Sequence, residues 1–202
     1  MPNLPLQLLS EMKNTFLIFL SFFLLTTLSF AQKRNYNAPA KLKKVTIAKK
    51  VTVTLPEDFA VMPDEGIANK YPAARKPLGV YTSPSGQIDF SVSEKQSTFS
   101  ANDLPLVRDI YKASILRTFS EVQFIRQEIK QINKKDMIVF EFVSTLNDEN
   151  PNSNKAPVKK YSIIQYYLKG GKVTIFTFNA PALMQSSWQE TANKIMNSIK
   201  LT

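Results

Sequence analysis

The stretch DMIVFEFV, Asp136 to Val143, is apolar on both of its alternating sets. Ile138, Phe140 and Phe142 fall on one side, and Met137, Val139 and Val143 on the other. A strand with one wet face alternates cleanly between apolar and polar residues, so this one is expected to be covered on both sides. The strand YSIIQYYL, Tyr161 to Leu168, has the same character. Glu141 alone interrupts the apolar run. An unpaired buried carboxylate is costly, so Glu141 is expected to reach a Lys or Arg at the sheet rim.

Working outward, EVQFIRQEIKQI precedes this strand and KKYSIIQYYLK follows it, and a Gly170-Gly171 pair then leads into KVTIFTFN. Gly-Gly between apolar runs is a hairpin signal, so the four segments read as a meander. Two helices flank it. In NDLPLVRDIYKASILRTF, Asn102 or Asp103 can cap, Pro105 suits the first turn, and Leu104, Val107, Tyr111 and Ile115 recur at helical spacing. The last element places Leu183, Met184, Trp188, Ala192, Ile195 and Ile199 on one stripe, with Trp188 expected in the core. Earlier, KVTVTLP alternates as a half-buried strand, with VTIA as a candidate hairpin partner. Pro56 to Pro77 reads as a long loop with a helical turn near Asp64 to Asn69. A hairpin around Ser83 to Gly86 puts Ile88, Phe90 and Val92 on one face and Gln87, Asp89 and Ser91 on the other. The order of elements predicts an α+β fold in which an antiparallel β-sheet is sandwiched between helices, not a βαβ array.

The lead-in resembles a known family. A basic segment, then VTVTLPEDFAV with its Leu55-Pro56 junction, a hairpin, a helix, a four-strand meander and a final helix ending in SIKL are similar to the PsbP-like superfamily over roughly Val45 to Leu201. That group includes the PsbP subunit of photosystem II, Mog-type Ran-binding proteins and exported bacterial relatives. The resemblance implies an α/β/α accessory binding module. No residue motif here carries the photosystem or Ran-binding roles.

The apolar run TFLIFLSFFLLTTLSFAQ, Thr15 to Gln32, has Lys13 before it, and Ser29 and Ala31 sit at the small-x-small spacing of a signal-peptidase site. Its apolar core, Thr15 to Phe30, is shorter than the roughly 20 residues of a spanning helix. Residues 1–31 are therefore expected to be a signal peptide, with Met12 the better start, residues 32–44 a basic flexible linker, and residues 45–202 the domain. The alternative is an uncleaved leader, the chain's one route to membrane attachment. Cleavage leaves about 170 residues, which suits one domain with a sizeable core. The expected localisation is exported, periplasmic or secreted.

The formal net charge is +10, and the chain has no His and no Cys. The commonest general base, the commonest metal ligand and the reactive thiol are all absent, so serine triads, thiolate sites and ordinary zinc sites are excluded. The five glycines form no phosphate-cradling loop. No catalytic, cofactor-binding or metal-binding residue is assigned, and no cofactor is expected. A small hydrolase-type enzyme using a Ser–Lys or carboxylate site is the alternative class. The loop Leu146 to Lys155 gathers Asn147, Asp148, Glu149, Asn150 and Asn152, but it lacks the bend Gly and terminal Glu of a calcium loop; a solvated connection is expected.

Lys33, Arg34, Lys41, Lys43, Lys44, Lys49 and Lys50 crowd together with no acid among them. Lys41, Lys43, Lys44, Lys49 and Lys50 are the candidate partner-binding residues, either as a solvated tether or as a docking surface for an envelope protein or other anionic surface. Aromatic interleaving is limited to Tyr36, which disfavours nucleic acid.

Overall fold

Apolar on both alternating sets, Lys135–Leu146 is a strand buried on both faces. In a computed structural model that describes residues 41–71, 76–148 and 154–201, it is the seventh of ten strands. The leader, its Met12 and Lys13, the bases Lys33 and Arg34, and Glu149, Asn150 and Asn152 of the polar loop lie outside the described residues.

In chain order the elements are β1 (Leu42–Ile47), β2 (Val51–Pro56), β3 (Ala60–Val61), α1 (Asp64–Lys70), β4 (Gly79–Thr82), β5 (Asp89–Gln96), α2 (Leu104–Thr118), β6 (Glu121–Ile132), β7 (Lys135–Leu146), β8 (Val158–Lys169), β9 (Lys172–Pro181), α3 (Gln185–Asn197) and β10 (Lys200–Leu201). A seven-stranded sheet runs β3-β4-β5-β9-β8-β7-β6, and a three-stranded sheet runs β1-β2-β10. All pairings are antiparallel.

The two faces of the large sheet build two cores. Ile138, Phe140 and Phe142 meet Leu104, Val107 and Ile115 of α2, and Tyr111 stacks on Tyr166 at 4.0 Å between ring centroids. On the opposite face, Met137 and Val139 pack with Trp188, Ala192, Ile195 and Met196 of α3, and also with Val51, Val53 and Leu55 of β2. The expected sandwich is therefore present, with one addition: α3 shares its face with the small sheet. The close approach needs Gly79, where an added Cβ would come within 2.7 Å of the Ile47 Cγ2 methyl.

Glu141 does meet a base at the rim. Its carboxylate accepts from Arg126 of β6 at 2.8 Å, from the Tyr161 hydroxyl at 2.8 Å and from Gln189 of α3 at 2.7 Å. Arg126 also donates to Asn193, one helical turn after Gln189. A register shift at Ile125 makes this arrangement possible. Phe124 pairs with Phe142 on the α2 face, whereas Arg126, two residues on, pairs with Glu141 on the α3 face. Without that extra residue both side chains would share one face.

Several expectations need correction. β1 begins at Leu42, so Leu42 to Lys44 are strand and not linker: paired with Pro56, Leu55 and Thr54, they satisfy their backbone in the small sheet. Asp103 holds the N-cap position of α2 without a side-chain cap hydrogen bond; the capping contacts lie one turn earlier, where Ser100 accepts from the Asn102 N–H while its own N–H donates to the Asp103 carboxylate at 2.8 Å. Leu183 is exposed in a short turn before α3, off the buried stripe. Asp89 and Ser91 are buried, because the second face of β5 is covered as well.

Candidate functional site

The lysines that the sequence groups together are divided in space. Lys41, Lys43 and Lys44 lie at the start of β1, where Lys43 donates to the Glu57 carbonyl at 2.7 Å. Lys49 and Lys50 lie at the other end of β1, in its turn to β2, where Ala48 and Lys49 take left-handed φ of 49° and 56°. Of these five, Lys50 lines the cleft described next.

That cleft, of about 320 Å³, opens where the small sheet meets one end of the large sheet. It is lined by Lys50, Glu94, Lys135, Lys169 and Lys172, with Val51, Leu78, Tyr167, Thr174 and Leu201. The β-pairing explains why so many cations meet there. Gly170 and Gly171, with φ of 59° and 69°, form the tight turn that sets Lys169 directly opposite Lys172. Like charges so opposed are unfavourable unless something neutral or anionic intervenes. Alternation puts Tyr167 and Thr174 on the same face as this pair, with Glu94 opposite Thr174 on β5. Glu94 accepts from Lys172 at 2.9 Å and from Lys50 at 3.3 Å. The Lys172 hydrogen bond, aided by Lys50, holds its carboxyl below the ordinary glutamate value of 4.5. Lys135 and Lys169 have no carboxylate within ion-pair distance among the described residues, and Lys135 is half-buried. A second, more open hollow of about 600 Å³ continues past Lys134, Lys135 and Lys169 towards Phe99 and Ser100.

Sequence reasoning missed Lys135, Lys169 and Lys172. The Gly-Gly turn flanked by lysines was the available signal, because the two strand ends of a tight hairpin must face each other.

The other end of the large sheet is charged too, with one carboxylate, Asp89, among Lys70, Lys159 and Lys160. Asp89 pairs with Lys70 at 2.5 Å and accepts from the Tyr71 hydroxyl at 3.2 Å, beside a cavity of about 190 Å³ that also meets Lys159, Lys160 and Asn179. Burial first, then the Asp89 charge, pushes the Tyr71 hydroxyl well above the ordinary tyrosine value.

The polar loop contributes no site in its described part, where Asp148 meets Lys155 at 3.6 Å. Among the described residues no group of three or more His, Cys, Asp or Glu side chains could hold a metal ion, and no helix is long and apolar enough to cross a membrane.

By sequence, no protein-family model matches the chain and no curated protein is similar to it. The fold, in contrast, is shared. Cyanobacterial PsbP (CyanoP) from Synechocystis sp. PCC 6803 superposes with a TM-score of 0.52 at 12% identity, over 82% of this chain and 95% of that one. The Ran-binding protein Mog1p of Saccharomyces cerevisiae gives a TM-score of 0.52 at 10% identity, over 80% of this chain and 95% of that one. The architecture is PsbP-like, and at these identities the likeness concerns the fold alone.

Proposed function

We propose that the protein is an exported, non-catalytic binding module of the cell envelope that engages an anionic partner through the basic end of its large sheet. The observation that supports this reading is the surplus of charge in the cleft: four lysines surround one glutamate. A charge that is already displayed speeds encounter with an opposite surface at little further cost. A binding role also suits a fold that a Ran-binding protein uses, and a chain with no His or Cys has few routes to catalysis.

Export rests on the Lys13 n-region and the Ser29-Phe30-Ala31 site, which together place the new N-terminus at Gln32. N-terminal sequencing of the protein from its host should return Gln32. A start before Thr15 in a membrane fraction would show an anchored protein instead.

The binding reading is tested by capture from envelope extract at two salt concentrations. The Debye length falls from about 10 Å at 0.1 M to about 3 Å at 1 M, so a partner held by exposed charge should be lost at high salt. It should be lost as well from a variant carrying Lys135→Gln, Lys169→Gln and Lys172→Gln. A partner retained equally by that variant and in high salt would overturn the reading.

A further inference from the structure

The cleft lining is of two kinds, cationic and apolar, and this says more about what it holds than its charge alone. The cationic part is Lys135, Lys169 and Lys172. In the apolar part, Leu78, Tyr167 and Leu201 each pack partly against the core while leaving surface in the cleft. Three features set this apart from a solvated basic patch. Lys169 and Lys172 are directly opposed across a two-residue hairpin, and Glu94 neutralises Lys172 only, so the charge of Lys169 is left over. Lys135 is half-buried with no carboxylate within ion-pair distance among the described residues. Glu94, the one acid of the cleft, is already engaged by Lys50 and Lys172. The volume, about 320 Å³, is at the small end of the range for pockets that hold compact organic ligands.

We propose that this cleft binds a small amphipathic anion, with a single phosphate or carboxylate head between Lys135, Lys169 and Lys172 and a short aliphatic or aromatic tail against Leu78, Tyr167 and Leu201. The inference rests on the anion-binding reading above and narrows it to a soluble ligand in one cleft. The head takes up the charge of Lys135 and Lys169, which Glu94 does not reach, and the tail covers apolar surface that the fold leaves open. A phosphate without a tail would satisfy only the cationic part.

The test uses the full chain as its host processes it, with octyl phosphate and octanoate as probes and inorganic phosphate and acetate as tail-less controls. Octyl phosphate should raise the midpoint of thermal unfolding, and its dissociation constant should be about tenfold or more below that of inorganic phosphate. The double variant Lys135→Met/Lys169→Met should lose that response, yet unfold without ligand at the same temperature as the wild type or higher, since two like charges are gone. Lys135→Gln alone should weaken binding part-way, which keeps the test intact if the double variant does not fold.

Five results would overturn the proposal, the last of them while sparing the broader reading. The first is equal binding of inorganic and octyl phosphate. The second is an equal response to uncharged octyl glucoside. The third is a lower unfolding temperature for the ligand-free double variant, which would make the lysines structural. The fourth is binding to phosphatidylglycerol vesicles with no response to octyl phosphate, which would make the surface a lipid contact. Salt-sensitive capture of a macromolecule together with no response to any small probe would end this proposal and leave the broader one standing. The reverse pattern would do the opposite.

Discussion

Glu141 and Glu94 are both carboxylates on the α3 face of the large sheet, and both meet cations, yet their surroundings differ in kind. Glu141 is buried, and its oxygens receive one arginine, one hydroxyl and one amide. Every group around it comes from a packed element, and α3 is docked through two of them. Glu94 sits at an open cleft where lysines outnumber it four to one. The first arrangement consumes its charge in holding a helix to a sheet. The second leaves charge over. Surplus charge at a place with room for a ligand points to binding, whereas matched charge points to architecture.

The sharpest break of this contrast is Glu141→Ala. It leaves the buried Tyr161 hydroxyl and the Gln189 amide without their acceptor, while Arg126, partly exposed, keeps Asn193 and Glu128; the loss should be about 3 kcal/mol in a denaturant titration. Replacing the pair together, Glu141→Leu with Arg126→Met, should recover most of that loss.

Val139 lies next to Glu141 on the same face, and Phe140 lies on the other. Val139→Asp and Phe140→Asp should each destabilise by about 3 kcal/mol or more, because the α3 face accepts a carboxylate only where partners are built for it. A loss below about 0.5 kcal/mol for Val139→Asp would mean that one side of the sheet is wet.

Tyr161→Phe is a gentler probe and should cost about 1 kcal/mol for the lost hydrogen bond. It also carries a pH signature. Burial first, and then the Glu141 carboxylate, hold the Tyr161 hydroxyl protonated well above the ordinary tyrosine value of 10.0. A raised folded-state value contributes stability below pH 10 that is lost as pH rises beyond it. The phenylalanine variant should therefore lose less stability than wild type between neutral pH and strongly alkaline pH.

The smallest effect is expected in the cleft. Lys169→Gln should change stability by less than about 0.5 kcal/mol, or raise it, since it removes one of two opposed cations. Glu94 behaves oppositely. Its lowered value means that its contribution is present above pH 4.5 and is lost as the pH falls through the folded-state value, so an acid titration of Glu94→Gln should be flatter than that of wild type.

Most of the architecture was legible from period and punctuation. The double apolar alternation of DMIVFEFV announced a sheet covered on both sides, and the strand runs from β6 to β9 fall where the alternation places them. Glu141's need for a base could be read because an interior carboxylate leaves few choices. What escaped was whatever depends on a residue that looks ordinary. The shift at Ile125 sits within an unbroken strand pattern, and nothing in EVQFIRQEIKQI marks it. The turn at Asn133 and Lys134 takes left-handed φ of 47° and 66° without a glycine, and Asn133 is held there by donating to the Ile199 and Asn197 carbonyls. The two residues of β10 are too few for any period to show. The cleft escaped for a related reason. Its lysines come from four separate strand ends, so closeness along the chain pointed to Lys41, Lys43 and Lys44, which lie away from it, and included only Lys50 from within it.

β10 has a consequence for the order in which the molecule can be made. It pairs with β2, whose Thr54 N–H also donates to the Ser198 hydroxyl, so one of the earliest strands, paired with β1 on one side, takes its second neighbour from the last residues described. Ile195, Met196 and Ile199 are fully enclosed on the same side. A growing chain therefore carries Val51, Val53 and Leu55 in an incomplete core through nearly the whole of translation, and that core is complete only when residues 195–201 have left the ribosome. Nascent chains stalled after Pro181 should stay open to protease, while those released after Leu201 should resist it.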